Sequence, residues 1–535
     1  MGAAMTKTKQ NFTVHYVEES QSKKVEFNKI PLLAFLRNNC DDIEGIYSDN
    51  PKVDVMALLE ELDSIRRAVA HDDSKPKVGA ELLSYLEAEN LIIMSEASNM
   101  IAAGRISFRH LRAVLKPELE IIVRGTHNQG GRVLGTSYRQ SFFGTYLEIE
   151  YEYISSNGNS YMTCREDAAI FAYEGLKDID KLEVKPISAE EKNALDQRGR
   201  AYENVALGSH YRDYAGHMDV MGWRGYYPIR SVGRIMVDIS TYDQFKSNRR
   251  RGEETSQKTL HDSQYWMADA HVWGFSLSTK QWGRFQVETV SEIDFRKNAF
   301  DQLVMPAEKK QLVKALVSDN NRGFADIISG KGGGCIFLLH GVPGVGKTLT
   351  AEAIAELLER PLYSVSVGEL GTDTAQLEKS LRQILDVAQV WNAVILIDEA
   401  DIFLEKRSVG DILRNAMVSV FLRLLEYHQG VLFLTTNRVT EFDPAFHSRI
   451  SVGMHYGPLT ADARLQIWHN LLDAAGISGV DVAALSSHPL NGRQIKNTIR
   501  LAQGLARQAG EAVNDDHFLQ CFEVGHQFNH DFAKM

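Results

Sequence analysis

The spacing of apolar positions changes along the chain, and each change marks a different kind of structure. Within 30–115 apolar residues recur at i, i+3 and i+4, as in Met56-Ala57-Leu58-Leu59-Glu60-Glu61-Leu62 and Leu82-Leu83-Ser84-Tyr85-Leu86, which predicts helices. Gly104, followed by Arg105-Ile106-Ser107, closes one helix, and Pro117 stops the next. From about Glu120 the period falls to two. Tyr146-Leu147-Glu148-Ile149-Glu150-Tyr151-Glu152-Tyr153 alternates, and Ser156-Asn157-Gly158-Asn159 supplies a turn before Tyr161-Met162-Thr163. Arg234-Ile235-Met236-Val237-Asp238-Ile239 predicts a further strand, while 187–204 is charged and reads as a helix. Ahead of all this, 1–27 is polar and mixed in charge: an arm, with Val14-His15-Tyr16-Val17 as a candidate strand.

From about Asp294 the pattern becomes α/β. Short apolar runs at 335–340, 362–367, 393–398 and 431–436 predict strands, with helical segments between them. Strands alternating with helices imply a parallel sheet covered on both faces, with ligands at the strands' carboxyl ends.

The polar chemistry sits at those ends. The run Cys335-Ile336-Phe337-Leu338-Leu339-His340 leads into Gly341-Val342-Pro343-Gly344-Val345-Gly346-Lys347-Thr348, and a helical pattern starts at Leu349. This is a complete phosphate-binding loop in its required strand–loop–helix context. Its backbone N–H groups cradle phosphate oxygens, the following helix adds its dipole, Lys347 places a charge between β- and γ-phosphates, and Thr348 offers a hydroxyl to Mg²⁺. Farther on, Val394-Ile395-Leu396-Ile397 delivers Asp398 and Glu399 from a buried strand. Asp398 is placed to orient Mg²⁺, partly through water, and Glu399 to polarise the attacking water. Leu432-Phe433-Leu434-Thr435-Thr436 ends in Asn437, whose amide can hold that water against the γ-phosphate. The cofactors expected are a nucleoside triphosphate and Mg²⁺, with Gly341, Pro343, Gly344, Val345, Gly346, Lys347, Thr348, Leu349 and Asp398 around the nucleotide, and Thr348 and Asp398 on the metal; the resemblance below makes that triphosphate ATP.

Composition narrows the setting. A chain of 535 residues is too long for one core, and 44% hydrophobic with 24% charged content is ordinary for a globular protein. A net charge of −11 argues against wholesale coating of nucleic acid. Cys40, Cys164, Cys335 and Cys521 show no metal spacing and read as reduced thiols of an intracellular, cytoplasmic protein. No apolar stretch is long enough to span a bilayer, and no secretory signal opens the chain. Met1-Gly2-Ala3-Ala4-Met5-Thr6 fits the loose acylation pattern, but Lys7 and Lys9 are scant basic support, so the reading is a flexible start. Arg249-Arg250-Arg251, followed by Gly252-Glu253-Glu254, reads as a charged, mobile loop rather than a nucleic-acid patch. Tyr211, Tyr214, Trp223, Tyr226 and Tyr227 crowd a Gly-rich stretch. Two readings stand: packing on the sheet, or a recognition surface.

Together the phosphate loop, the Asp398-Glu399 pair, the Asn437 strand end and the run Asp443-Pro444-Ala445-Phe446-His447-Ser448-Arg449-Ile450 resemble the AAA+ ATPases over roughly 300–525. The resemblance implies that Asn437 is the sensor-1 residue, that Arg449 is an arginine finger supplied to a neighbouring subunit, and that the protein forms a ring homo-oligomer, most often a hexamer. Arg493, in Asn491-Gly492-Arg493-Gln494-Ile495-Lys496 at the start of a lid helix, is the sensor-2 candidate. Phe324, Asp326 and Ile327, ahead of the loop, are candidates for the adenine pocket. Two departures stand out. Val367-Gly368-Glu369-Leu370-Gly371-Thr372-Asp373 carries no aromatic where polypeptide-threading members place a pore loop, and Ser448 stands where a second arginine is frequent. The N-terminal half is similar to an uncharacterised domain preceding AAA modules in fungal and some bacterial chains, with the likeness in Tyr146-Leu147-Glu148, 171–184, Arg198-Gly199-Arg200 and 211–214.

The expected fold is a P-loop parallel α/β sheet with a small α-helical lid, preceded by an α+β region. The expected domains are a polar arm at 1–27, a helical segment at 28–118, a β-rich α+β domain at 119–290, an ATPase domain at 291–460, and a lid with tail at 461–535. The expected function is ATP hydrolysis at ring interfaces to remodel a macromolecule, in the first place a protein, selected by the N-terminal half. The alternatives are a nucleic-acid-dependent motor or loader, and a slow nucleotide-gated scaffold.

Overall fold

Phe12 and Val25 are fully buried, so the first residues form a sheet where the pattern suggested an arm with one candidate strand; that candidate, 14–17, lies within the strand Phe12–Val17. The structure, a computed structural model, describes residues 6–9, 11–17, 22–40, 43, 45–72, 77–223, 225–246, 252–319, 334–371, 373–406, 411–438 and 442–532. The acylation-like start through Met5, the Arg249-Arg250-Arg251 run and the adenine-pocket candidates Phe324, Asp326 and Ile327 lie outside the described residues.

By contacts the chain divides into two units: 1–208 with 238–273 and 284–288, and 209–237 with 274–283 and 289–535. The segments 209–237 and 274–283 thus group with the phosphate-loop half of the chain.

In the first unit, Thr6–Thr8, Phe12–Val17, Ser22–Phe27 and Lys52–Asp54 make a four-stranded antiparallel sheet in that order. Register sets Phe12 opposite Phe27 and Val14 opposite Val25. Helices Ile30–Asn39, Val55–Glu60, Leu62–Ala70 and Ala80–Ala102 close over it through Leu36, Leu58, Ile65, Leu82 and Leu86. The strands Ser22–Phe27 and Lys52–Asp54 are easy to miss because their buried valines are flanked by charge, as in Lys23-Lys24-Val25-Glu26. Farther along, an antiparallel six-stranded sheet runs in the order Val184–Pro186, Glu120–Val123, Gln129–Ser141, Gly144–Ser156, Tyr161–Phe171, Gly252–Glu254. Its inner face buries Ile121, Val133, Leu147, Ile149 and Ile170. Gly252–Glu254, expected in a loop, pairs with Met162, Thr163 and Cys164 instead. The helix Ala189–Ala206 opens on a capping box between Ser188 and Glu191.

In the second unit, strands Ser209–Gly222, Gly225–Asp238, His271–Ser276, Gln281–Gln286 and Val290–Ser291 form a five-stranded accessory sheet that lies mostly within this unit. It divides the aromatic group. Tyr214 is buried, and Tyr211 packs on Phe295 at 6.0 Å between centroids. Trp223, 92% exposed, stands with Tyr226 and Tyr227 at the far end of the long hairpin.

The phosphate-loop sheet follows: β1 (Cys335–Gly341), β2 (Leu362–Ser366), β3 (Val394–Asp398), β4 (Val431–Thr436) and β5 (Val452–Tyr456), all parallel, in the order β2-β3-β4-β1-β5. The last of these is absent from the sequence-based expectation; Val452-Gly453-Met454-His455-Tyr456 mixes too much polarity to read as a buried strand. Helices α1 (Lys347–Leu358), α2 (Thr374–Val390) and α3 (Ile412–Glu426) cover the sheet, whose core includes Phe337, Leu339, Ile354, Leu396 and Phe433. The lid comprises α4 (Ala461–Ala474), α5 (Val482–Ser487), α6 (Gly492–Ala509) and α7 (Asp515–Phe532), packed around Trp468, Ile495, Ile499 and Phe518. No helix among the described residues is long and apolar enough to cross a membrane.

One buried group ties this unit's stability to pH. His428 follows α3, is 5% exposed, and has an Nε2 without a hydrogen-bond partner among the described residues. Burial lowers its pKa from 6.5 to about 4. The unfolded chain therefore takes up that proton first. Stability is intact above pH 6.5 and is lost as pH falls toward 4, by on the order of 3 kcal/mol. Urea denaturation at pH 7 and pH 4.5 should show this loss in the wild type and a flatter dependence in His428→Gln. Equal slopes in both would remove the assignment.

Candidate nucleotide site

β1 ends at Gly341, where φ is +142° and a Cβ would lie 1.9 Å from the Tyr456 carbonyl oxygen. Only glycine leaves the strand here so close to β5. Val342, Pro343, Gly344 and Val345 carry the loop to Gly346 at φ +101°, and α1 starts at Lys347 with Thr348 and Leu349 behind it. Thr350 ties the loop down: its hydroxyl bonds the Gly346 carbonyl at 2.9 Å and lies 2.9 Å from the Tyr456 hydroxyl.

Lys347 is buried, and its Nζ donates to the carbonyls of Gly341 and Val342 and to Asn437 Oδ1, each at 2.8 Å. Burial pulls its ammonium below the ordinary lysine value, against the opposing pull of Asp398 and Asp401. Asn437 follows β4, adjacent to β1 in the sheet, which is why its amide reaches the loop lysine.

Register assembles the acidic side. Ile397 on β3 lies opposite Leu434 on β4, so Asp398 falls beside Thr435. The Thr435 hydroxyl donates to Asp398 and accepts the Glu399 backbone N–H at 2.9 Å, while the Thr435 carbonyl accepts the Ala400 N–H at 2.9 Å. Thr348 Oγ1 is 3.3 Å from both Asp398 carboxylate oxygens, which joins the two motifs directly. Thr436 donates to Asp401. Glu399 sits at φ +56°, a left-handed conformation that costs a non-glycine residue energy and is found where a side chain must be aimed. A cavity of about 530 Å³ opens beside this turn, with Ser366, Val367, Gly368, Asp398, Glu399 and Arg438 among its lining.

The lid reaches the loop as well. A Cβ on Gly344 would meet the Asn491 side chain at 2.7 Å, and one on Gly492 would lie 3.2 Å from the Gly344 carbonyl oxygen. Asn491 caps α6 and forms a reciprocal capping box with Gln494. Arg493 is the second residue of that helix, near enough for its charge to act against that of Lys347.

Arg449 lies apart from this group. Its guanidinium donates to the Ala445 carbonyl at 2.9 Å and to Glu426 Oε2 at 3.1 Å. The structure thus brings Lys347, Thr348, Asp398, Glu399, Asn437 and, through the lid, Arg493 into one neighbourhood, and does not bring Arg449 there. Sequence reasoning passed over Thr435, Asp401 and Asn491. Thr435 is placed only by the β3–β4 register, which the sequence does not show; Asn491 carried only a helix-cap signature.

Comparison with known proteins places these features. Residues 337–457 match the model described as ATPase family associated with various cellular activities (AAA), and 96–191 match a Domain of unknown function, DUF7025. A mitochondrial Lon protease homolog of Yarrowia lipolytica is 34% identical over 24% of this chain and 12% of its own length. Protein CdcH of Halobacterium salinarum is 30% identical over 28% and 24%, and Spastin of Xenopus tropicalis 28% over 31% and 27%. The alignments therefore span a quarter or so of these relatives at most. The chain carries an AAA module behind a domain of unknown function, and its relatives are AAA proteins.

Proposed function

We propose that this chain hydrolyses ATP with Mg²⁺ at a pocket completed by a neighbouring copy, in a ring, and spends the cycle on remodelling a protein substrate selected by 28–290. The observation that carries this is the convergence of Lys347, Thr348, Asp398, Glu399 and Asn437 from the ends of β1, β3 and β4. Three carbonyl or amide oxygens hold the Lys347 ammonium where a phosphate would compete for it. The Thr348 hydroxyl and Asp398 carboxylate, 3.3 Å apart, suit Mg²⁺, which takes one carboxylate and phosphate oxygens rather than a full protein cage. Bound there, Mg²⁺ would neutralise charge developing on the phosphates.

In this reading Glu399 accepts the proton of the attacking water, Asn437 orients that water, and Arg449 of one copy reaches the γ-phosphate held by the next. Arg493 follows the phosphates as the lid closes, its capping Asn491 already against Gly344. Cys40, Cys164, Cys335 and Cys521 form no disulfide among the described residues, which suits a reducing, cytoplasmic setting.

The test is ATP turnover by the purified protein beside Lys347→Ala, with sedimentation velocity at rising ATP. The wild type should release phosphate and assemble; Lys347→Ala should lose nucleotide binding and turnover together. A protein that stays a single copy at every ATP concentration while cleaving ATP rapidly would overturn the shared-pocket reading.

A further inference from the structure

Within the second unit the accessory sheet meets the β2 edge of the phosphate-loop sheet through an aromatic seam. The Phe275 ring stacks on Tyr363 of β2 at 5.5 Å and lies 5.7 Å from Trp391, which caps α2; Trp282 lies 5.7 Å from the same Trp391. Apolar contact of this size is enough to attach the sheet. Two ion pairs accompany it. Arg234 Nη2 is 3.3 Å from Glu356 Oε1 on the last turn of α1, whose other carboxylate oxygen accepts the Arg296 backbone N–H at 2.9 Å. Lys280, in the turn between the strands His271–Ser276 and Gln281–Gln286, bonds Glu369 Oε1 at 2.5 Å, as does the Ser366 hydroxyl at 3.0 Å.

Each anchored residue belongs to an element whose other end lies at the nucleotide site. Glu356 closes the helix that Lys347 and Thr348 open. Glu369 directly follows Ser366, Val367 and Gly368, which face Asp398 and Glu399 across one cavity. Leu370, next along, is fully buried. Glu369 and Leu370, in the stretch expected to stand in place of a pore loop, are therefore held against the body of the domain. Partly exposed ion pairs add little to stability, but they choose one orientation of what the seam attaches.

We infer that Arg234 and Lys280 are positioning residues for ATP hydrolysis: through Glu356 and Glu369 the accessory sheet sets the phosphate-loop helix and the cavity wall opposite Glu399, so hydrolysis responds to whatever the sheet carries. This rests on the hydrolysis reading above and adds its regulation.

The experiment compares full-length wild type with Glu369→Gln, Lys280→Gln, Arg234→Gln and the swap Lys280→Glu with Glu369→Lys. It reads kcat and KM for ATP together with thermal melting. Each single variant should lose about fivefold in kcat with KM within about twofold and an unchanged melt, and the swap should return kcat to within about twofold of wild type. Raised salt should narrow the difference between wild type and Glu369→Gln, because the pair is half-exposed. Variants with wild-type kcat would overturn the inference. So would a swap that fails to restore it, or kcat lost only in step with melting temperature. An active wild type beside indifferent variants removes this inference alone; a wild type that cleaves no ATP removes the hydrolysis reading as well.

Discussion

Glu399→Gln is expected to bind ATP as the wild type does and to hydrolyse it about 10²- to 10⁴-fold more slowly, the usual worth of a positioned general base. The substitution is nearly isosteric, and what holds residue 399 is its backbone: the N–H on Thr435 Oγ1 at 2.9 Å, in a turn with φ at +56°. Neither contact depends on the carboxylate. Thr348, Asp398 and Lys347 keep their own bonds, so nucleotide affinity should survive. Binding of a fluorescent ATP analogue and single-turnover hydrolysis separate the two quantities. Turnover equal to the wild type would show that Glu399 is not the base.

Arg449→Ala should be more severe, losing about 10³- to 10⁵-fold in kcat, as expected when a guanidinium that meets transition-state charge is removed. Within one chain Arg449 is held by Glu426 and the Ala445 carbonyl, away from Lys347 and Asp398. In the proposed ring it serves the chemistry across a boundary between copies. That makes the loss complementable. Arg449→Ala keeps an intact phosphate loop, and Lys347→Ala keeps an intact finger. Each should be inactive alone, and mixing them before assembly should recover turnover at interfaces that join the two intact halves. No recovery on mixing, or wild-type kinetics in Arg449→Ala, would remove the role in trans.

The two halves of the chain differed in how much their sequences disclosed. β1, β3 and β4 are buried on both faces, so they read as unbroken apolar runs, and the residue that ends each run is polar because it faces the site. That contrast made Asp398, Glu399 and Asn437 stand out one at a time, and the glycine spacing of the loop after β1 singled out Lys347. The opening sheet gave no such contrast. Its strands are short and one-sided, so Val25 is set among Lys23, Lys24 and Glu26, and burial follows only once helix Ile30–Asn39 covers it. The aromatics of 208–225 show the same limit: Tyr214 and Trp223 look alike in sequence, yet one is in the core and the other 92% exposed at a hairpin end.

By itself the sequence determined the parallel α/β class, the phosphate loop and the acids that accompany it, because these depend on local runs of burial and on fixed spacing within one loop. The tertiary structure alone decided that Thr435 links Asp398 to Glu399, that Asn491 lies on Gly344, and that the accessory sheet grips Glu356 and Glu369. These contacts join residues far apart in the chain. Strand order and register set them, and neither is written in the spacing of any single segment.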